Sequence, residues 1–247
     1  MTSYKSMSDK PSVRSPWFWV PSLYFAQGIP YVAVMIVSVL MYKRLGVSNT
    51  DIALYTSWLN LPWVIKPFWS PFVDLLKTKR WWVVTMQLLI GAGLAGVAFT
   101  IPTTFFFQAS LAVFWLLAFS SATHDIAADG FYMLALDSHE QAFFVGIRST
   151  FYRIAIIAGQ GVLVMFAGFL ENSTGNIPLA WSVTFFILGG LFLALFLYHR
   201  YILPLPKGDK PSATVTPSTI LKEFFATFAS FFKKKQAFVA ILFMLLY

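Results

Sequence analysis

Three side chains that could exchange protons or bind a metal ion stand together in the apolar stretch ATHDIAADGFY, residues 122–132: His124, Asp125 and Asp129. The two acids are one helical turn apart, and carboxylates at that separation repel each other when both are ionised. A histidine and two acids on one helix cannot all face one ion, and no second acidic or histidine cluster completes a metal site. We therefore expect proton exchange or ion pairing here, with no metal ligand.

The composition is that of a membrane protein. Hydrophobic residues make up 58% of the 247 residues and charged residues 11%, whereas a soluble protein has about 25% charged residues. The absence of cysteine excludes disulfides and thiolate metal sites. We interpret the net charge of +8 through its position relative to the lipid bilayer, and not as a sign of a nucleic-acid partner.

Known catalytic patterns are missing from the sequence. The G-x-S-x-G, H-E-x-x-H and Walker motifs are all absent. An intramembrane metalloenzyme built on His124 is the alternative, but ionisable residues inside a membrane more commonly mark a transport path. No catalytic residue and no cofactor are predicted.

Six apolar runs are long enough to cross a bilayer, which takes about 20 helical residues. We expect helices, because lipid offers no hydrogen bonds to open backbone groups. The long fourth run is interpreted as one helix that is tilted or projects past the membrane. The runs are 17–41, 52–72, 81–101, 105–136, 143–170 and 179–202. Five prolines in the first two runs are interpreted as kinks: Pro21, Pro30, Pro62, Pro67 and Pro71.

Lysine and arginine are distributed unevenly between the two sides of these spans. With the N-terminus placed in the cytoplasm, two cations, Lys43 and Arg44, lie outside and thirteen lie inside. This excess follows the positive-inside rule and predicts a cytoplasmic N-terminus. The inside cations are Lys5, Lys10, Arg14, Lys77, Lys79, Arg80, Arg200, Lys207, Lys210, Lys222, Lys233, Lys234 and Lys235.

The chain is expected to divide into four parts. Residues 1–16 form a cytoplasmic tail, and residues 17–202 form a six-helix transmembrane lobe of an all-α membrane protein. Residues 203–236 form a cytoplasmic linker, in which phenylalanines at helical spacing predict an amphipathic helix on the inner leaflet. A soluble helix packed on a neighbour is the alternative. Residues 237–247 begin an apolar run shorter than the roughly 17 residues of a span, so we expect a seventh helix that is cut off.

Five charged residues fall inside the predicted spans, all in the cytoplasmic half. They are Lys66 on span two, Asp125 and Asp129 on span four, and Arg148 and Arg153 on span five. A charge at the bilayer centre costs at least ~2.5 kcal/mol, so each one needs a partner or a wet cavity. We expect the acids to face the bases, in proton coupling or in purely structural ion pairs. Lys66 could alternatively extend its ammonium toward the headgroups.

Helical spacing groups further polar residues around these charges. Asp125 and Asp129 share a stripe of small and polar residues on span four, whereas His124 points partly away and is interpreted as a packed histidine. Five polar residues on spans one and five are expected to line a substrate path: Tyr24, Gln27, Tyr31, Tyr152 and Gln160.

Several ordered motifs resemble the AmpG-type muropeptide permeases, a branch of the major facilitator superfamily. IKPFWSPFVD (65–74) resembles the end of that family's second helix, and HDIAADGF (124–131) resembles its fourth-helix signature. FYRIA (151–155) and FAQGIPY (25–31) resemble segments of its fifth and first helices. The resemblance covers about residues 17–200 and is shared in part by acetyl-coenzyme A transporters.

The resemblance implies a two-lobed, twelve-helix, proton-driven importer of anhydro-muropeptides in the bacterial inner membrane, of which this chain is the N-terminal half. It places Asp74, Lys79 and Arg80 in the loop that gates alternating access, although DLLKTKR lacks the glycine of the superfamily motif. The excess of cations over acids in the spans independently favours an anionic small-molecule solute. The implied partners are protons, the lipid bilayer and a missing C-terminal lobe. Another organic solute, such as a sugar, a peptide or an acyl-coenzyme A, and a non-transporting scaffold are the alternatives.

Overall fold

The computed structural model describes residues 15–210 and eight isolated positions beyond them: 222, 225, 226, 229, 230, 233, 234 and 239. Every regular element in residues 15–210 is helical. Residues 1–14 of the predicted cytoplasmic tail lie outside the described residues, as do the predicted amphipathic helix and the seventh helix, apart from those isolated positions.

Five helices in the described part are long and apolar enough to cross a membrane. Three short helices lie between the first and second of them. In chain order the helices are α1 (Pro16–Arg44), α2 (Asn49–Thr56), α3 (Leu61–Val64), α4 (Ser70–Leu76), α5 (Lys79–Thr100), α6 (Phe106–Ala135), α7 (Ser138–Thr174) and α8 (Ile177–Ile202). These five long helices correspond to the predicted runs one, three, four, five and six, and the all-helical membrane fold is confirmed.

The second predicted span is not one continuous helix. Residues 49–76 contain α2, α3 and α4, joined by 3₁₀ turns at Ser57–Asn60 and Lys66–Phe68. Pro62, Pro67 and Pro71 each occupy one of the first two positions of a new helical turn, where no helical N–H is lost. The interpretation of these prolines as kinks within one helix is therefore wrong. A crossing by this segment stays a prediction.

Local π turns interrupt α1 and α7 where the two helices pack together. Residues Ala33–Val37 of α1 and Gly159–Leu163 of α7 adopt this wider turn. Gly159 lies so close to α1 that a Cβ atom there would approach Cγ1 of Val32 to 2.1 Å. The π turn of α1 follows Pro30, which has no N–H for the helical ladder. Such turns inside helices are frequent at functional sites.

Small residues bring the other helices into close contact. Helix α5 packs between α6 and α8, and α1 packs against α7 and α6. Gly91 of α5 and Gly189 of α8 let the two backbones touch, since a Cβ on Gly189 would lie 3.0 Å from the carbonyl oxygen of Gly91. Close backbone approach at small residues is a main source of helix association in lipid.

The buried apolar side chains form two clusters. The larger one joins α1, α5, α6 and α8, and contains Ile29, Tyr42, Ile90, Phe114 and Phe185. The smaller one lies near the start of α1, around Trp19 and Phe131, whose rings meet edge to face.

Candidate functional site

Asp125 of α6 and Lys66 of the broken second segment form a close ion pair. The Lys66 ammonium donates a hydrogen bond of 2.5 Å to Oδ2 of Asp125. The carboxylate is 9% exposed and the lysine side chain 28% exposed. Lys66 can reach α6 because it stands at a 3₁₀ turn between α3 and α4. Its ammonium therefore meets an acid inside the lobe, as the shared depth of the two residues predicts.

Asp129 binds a different cation. Its Oδ1 accepts a hydrogen bond of 3.0 Å from the Tyr24 hydroxyl and lies 3.5 Å from Nη1 of Arg148. The same Arg148 nitrogen donates to the Tyr24 oxygen over 3.1 Å. The guanidinium lies 5.1 Å from the ring centres of Tyr24 and Tyr132, which adds cation–π attraction. The Asp129 side chain is 46% exposed, so this pair is the more open of the two.

Tyr24, Asp129 and Arg148 border a cavity of about 260 Å³ formed by α1, α6 and α7. Its lining combines two tyrosines, an amide, a hydroxyl, one carboxylate and two guanidinium groups. The lining residues are Tyr24, Gln27, Asp129, Arg148, Ser149, Tyr152 and Arg153. Such a surface can bind an anionic, hydroxyl-rich solute through charge-assisted hydrogen bonds.

The structure separates the predicted path residues into two groups. Tyr24, Gln27 and Tyr152 line the cavity, as does Arg153, whose exposed side chain makes no ion pair within the described residues. Tyr31 and Gln160 are absent from the lining: Tyr31 packs edge to face on Trp63, and Gln160 is exposed on α7. Ser149 lines the cavity but was not predicted, although its position beside Arg148 is a signal that could have found it.

Buried polar atoms continue the site inward from the cavity. Gln27 lies beside Asp125, and Ser121 stands one helical turn before it on α6. Oδ1 of Asp125, Oε1 of Gln27 and Oγ of Ser121 are all buried and have no hydrogen-bond partner among the described residues. Each can therefore still accept a hydrogen bond from a solute, a water molecule or a proton carrier.

A chain of hydrogen bonds, buried except at Ser22, links four helices next to Asp125. The Ser22 hydroxyl bonds to Nε2 of His199 over 2.9 Å, and Nδ1 of His199 bonds to Oε1 of Gln87 over 3.0 Å. The other end of Gln87, its Nε2, bonds to Nε2 of His124 over 3.0 Å. His124 thus faces Gln87 of α5, so its interpretation as a packed histidine agrees with its position. Gln87 and His199 were not predicted as interacting residues, although both are polar residues inside apolar runs.

The predicted gating loop is held by contacts on both of its sides. Asp74 and Lys79 form an ion pair, and the Lys79 side chain lies against Gly130 of α6. The Asp209 carboxylate, beyond the end of α8, accepts hydrogen bonds from the backbone N–H groups of Lys79 (2.6 Å) and Arg80 (3.0 Å). Asp209 therefore caps α5, and this contact has no signal in the local sequence.

A second set of polar contacts closes the opposite end of the lobe. Arg44, at the end of α1, pairs with Glu171 of α7 through two guanidinium nitrogens. The same carboxylate accepts a hydrogen bond of 2.7 Å from the indole of Trp181 on α8. Glu171 was not predicted as an interacting residue. It lies close to the end of α7 at Thr174, where a lone acid would ordinarily be solvated.

Comparison with known proteins agrees with this geometry. The chain is 28% identical over 234 residues to the putative transporter AmpG 4 of Rickettsia conorii, a match that covers 87% of this chain and 52% of the relative. It is 24% identical over 231 residues to the anhydromuropeptide permease of Escherichia coli K12, covering 90% and 43% respectively. The chain thus spans about half of the length of the curated relatives that it matches.

A family profile decides the assignment. The profile of the BT1 family matches residues 25–247, which is most of the chain and includes α1 to α8 almost entirely. The resemblance to AmpG-type permeases, read from the motifs at residues 25–31, 65–74, 124–131 and 151–155, is confirmed by the named relatives. This integral membrane protein belongs to the BT1 family.

Proposed function

We propose that this chain forms one lobe of a proton-coupled secondary transporter that imports anhydro-muropeptides across the bacterial inner membrane. The observation that carries the proposal is the cavity between α1, α6 and α7, in which Asp129, Arg148 and Arg153 meet two tyrosines. The name of the Escherichia coli relative, anhydromuropeptide permease, supplies the solute class.

The charges of the cavity favour an anionic solute. Arg148 is already paired with Asp129, whereas Arg153 makes no ion pair among the described residues. One guanidinium thus stays available for a carboxylate, which it can bind through two parallel hydrogen bonds. Muropeptides combine peptide carboxylates with sugar hydroxyls, and the hydroxyls of Tyr24 and Tyr152 suit the sugar part.

The volume of the cavity favours a solute site to which two lobes each contribute part of the lining. A pocket that encloses a drug-sized ligand has a volume of roughly 300–1,000 Å³, whereas this one holds about 260 Å³. In two-lobed transporters the solute lies between the lobes, so that each supplies part of the lining. A second lobe that faces α1, α6 and α7 would enlarge the cavity and complete the path.

Asp129 is the better candidate for proton coupling. It stands at the cavity with an exposed side chain and a cation that lies 3.5 Å away. Asp125 is buried and holds Lys66 at 2.5 Å, an arrangement that suits a structural pair. A carboxylate that exchanges a proton needs access to water and a partner that it can release, and Asp129 has both features.

Uptake of labelled anhydro-muropeptide into proteoliposomes tests the proposal. The full-length protein should accumulate the solute when the outside is more acidic than the inside, and Arg153→Gln should raise the KM about tenfold because a charged hydrogen bond is lost. Lys43→Gln, which removes a cation at the far end of α1, is the matched control and should leave the KM unchanged.

Competition with unlabelled solutes tests the substrate class. If an acyl-coenzyme A or a free sugar competes and is accumulated while the muropeptide is not, the substrate assignment is wrong. If an imposed pH gradient drives no accumulation of any of these solutes, the assignment as a proton-coupled carrier is wrong.

A further inference from the structure

A second cavity, lined by other helices than the first, combines cations with an apolar wall. It has a volume of about 490 Å³ and lies between α5, α8 and the segment after α8. Thr78, Arg80, Arg200 and Asp209 border its polar end. The apolar wall consists of Trp81, Val84, Leu88, Phe196 and Leu205. No residue of the transport cavity takes part in it.

From these features we infer that this second cavity binds an anionic phospholipid of the cytoplasmic leaflet. This binding site is separate from the proposed transport path. Its charged groups lie at the start of α5 and at the end of α8, and its apolar surface follows from there along both helices.

The polar end offers cations to a phosphate. Two arginines line it against one carboxylate, and both oxygens of Asp209 are already bound by the N–H groups of Lys79 and Arg80. The Arg80 guanidinium donates to the backbone carbonyls of Arg200, in the last turn of α8, and of Leu203, just after it, so it is fixed in place. The Arg200 side chain is exposed and makes no ion pair within the described residues. Arginine binds a phosphate bidentately, and basic pockets between helices on this side of a membrane bind anionic headgroups.

The apolar wall has the length that one leaflet requires. From Thr78 to Leu88 the helix α5 rises about 15 Å, which equals about half of the 30 Å hydrocarbon core of a bilayer. Trp81, at the polar end, is 43% exposed, as expected for an indole at the headgroup level. An acyl chain could therefore follow Val84, Leu88 and Phe196 while the headgroup meets Arg200.

The surroundings add further attraction for a negatively charged lipid. Lys207 and Lys210 are exposed on the segment that forms the rim, and Lys77 lies 5.9 Å from the Trp81 ring centre. All of these cations lie at the end of the lobe that the positive-inside rule assigns to the cytoplasm. A zwitterionic headgroup would bring its own cation into this positive region, and so it should bind less well.

Fluorescence quenching of Trp81 by brominated lipids tests the inference. The full-length protein is reconstituted in vesicles that contain brominated phosphatidylglycerol or brominated phosphatidylcholine, and the same measurement on Trp81→Phe isolates the contribution of Trp81. We expect phosphatidylglycerol to quench this contribution at about a 25-fold lower mole fraction, because each of the two arginines at the site contributes about fivefold.

Matched variants separate a specific site from general surface charge. Arg200→Gln should reduce the preference for phosphatidylglycerol about fivefold, because the phosphate loses its charge-assisted contact with one of the two arginines, while Arg200→Lys should keep most of it. Lys207→Gln removes an equal charge on the rim, outside the cavity lining, and should reduce the preference by a clearly smaller factor, because Lys207 adds only long-range attraction that salt screens. Equal losses in Arg200→Gln and Lys207→Gln, or equal quenching by the two lipids, would overturn the inference.

Discussion

The Lys66 ammonium lies 2.5 Å from Oδ2 of Asp125, and this ion pair joins the broken second segment to the long helix α6. Asp129, one turn further along α6, is bound instead by Arg148 and Tyr24. The two acids therefore do not share a cation. Each pair has its own degree of exposure, so the two acids can be tested separately.

The first prediction concerns the stability of the buried pair. Lys66→Gln should lower the free energy of unfolding by about 3 kcal/mol, because it leaves the Asp125 carboxylate buried without a cation. The double variant Lys66→Gln/Asp125→Asn should recover most of this loss. Thermal unfolding of the purified protein in detergent measures both effects. A double variant that is no more stable than Lys66→Gln would contradict a direct pairing.

The second prediction concerns proton coupling at Asp129. Asp129→Asn should keep membrane expression and solute exchange close to the wild-type level while abolishing accumulation driven by a pH gradient. The neutral amide can still accept the Tyr24 hydrogen bond, but it cannot carry a proton. Asp125→Asn, in contrast, should reduce the amount of folded protein. Gradient-driven accumulation by Asp129→Asn would rule out the coupling role.

The third prediction concerns the chain of hydrogen bonds next to Asp125. Gln87→Leu removes the partner of both His124 and His199, which are fully buried. Each orphaned group should cost about 1–3 kcal/mol, and the thermal unfolding temperature should fall accordingly. Gln108→Leu, on an exposed position of α6, is the control and should leave it unchanged. Equal unfolding temperatures for the two variants would show that these hydrogen bonds contribute no stability.

The fourth prediction concerns the close contact of α1 and α7. Gly159→Ala should destabilise the protein by about 1–3 kcal/mol, because the added methyl group meets the stiff Val32 side chain at 2.1 Å. Gly161→Ala is the matched control in the same π turn, where a Cβ meets nothing within 4 Å. Denaturation of both variants in parallel measures the difference. Equal stabilities of the two variants would show that α7 has room for a methyl group between Gly159 and Val32.

The fifth prediction concerns orientation in the membrane. A reporter enzyme fused after Ser212 should be active in the cytoplasm, and one fused after Asn176, between α7 and α8, should be active in the periplasm. The physical reason is the retention of lysine and arginine on the cytoplasmic side. Reversed signals from the two fusions would invert the orientation and would move the proposed lipid site to the outer leaflet.

The sequence alone determined the class of the protein and the location of its charges along the chain. Long apolar runs can only be helices in lipid, so five spans were predictable to within a few residues of their ends. Lys66, Asp125, Asp129 and Arg148 were identifiable because a charge inside such a run needs a partner. Their common depth followed from the direction of each span.

Only the tertiary structure decided which charge meets which. The pairing of Lys66 with Asp125, and of Arg148 with Asp129, depends on the rotation of α6 and α7 about their axes, which helical spacing leaves open. The second span is broken at three prolines, each of which begins a new helical turn. Whether a proline begins a new turn or kinks one helix depends on how the segment packs against α6. Asp209 meets the start of α5, and His199 bonds to both Ser22 and Gln87, in each case across more than 100 residues of chain. Such contacts leave no periodic pattern in the sequence, because they are set by the way in which whole helices pack.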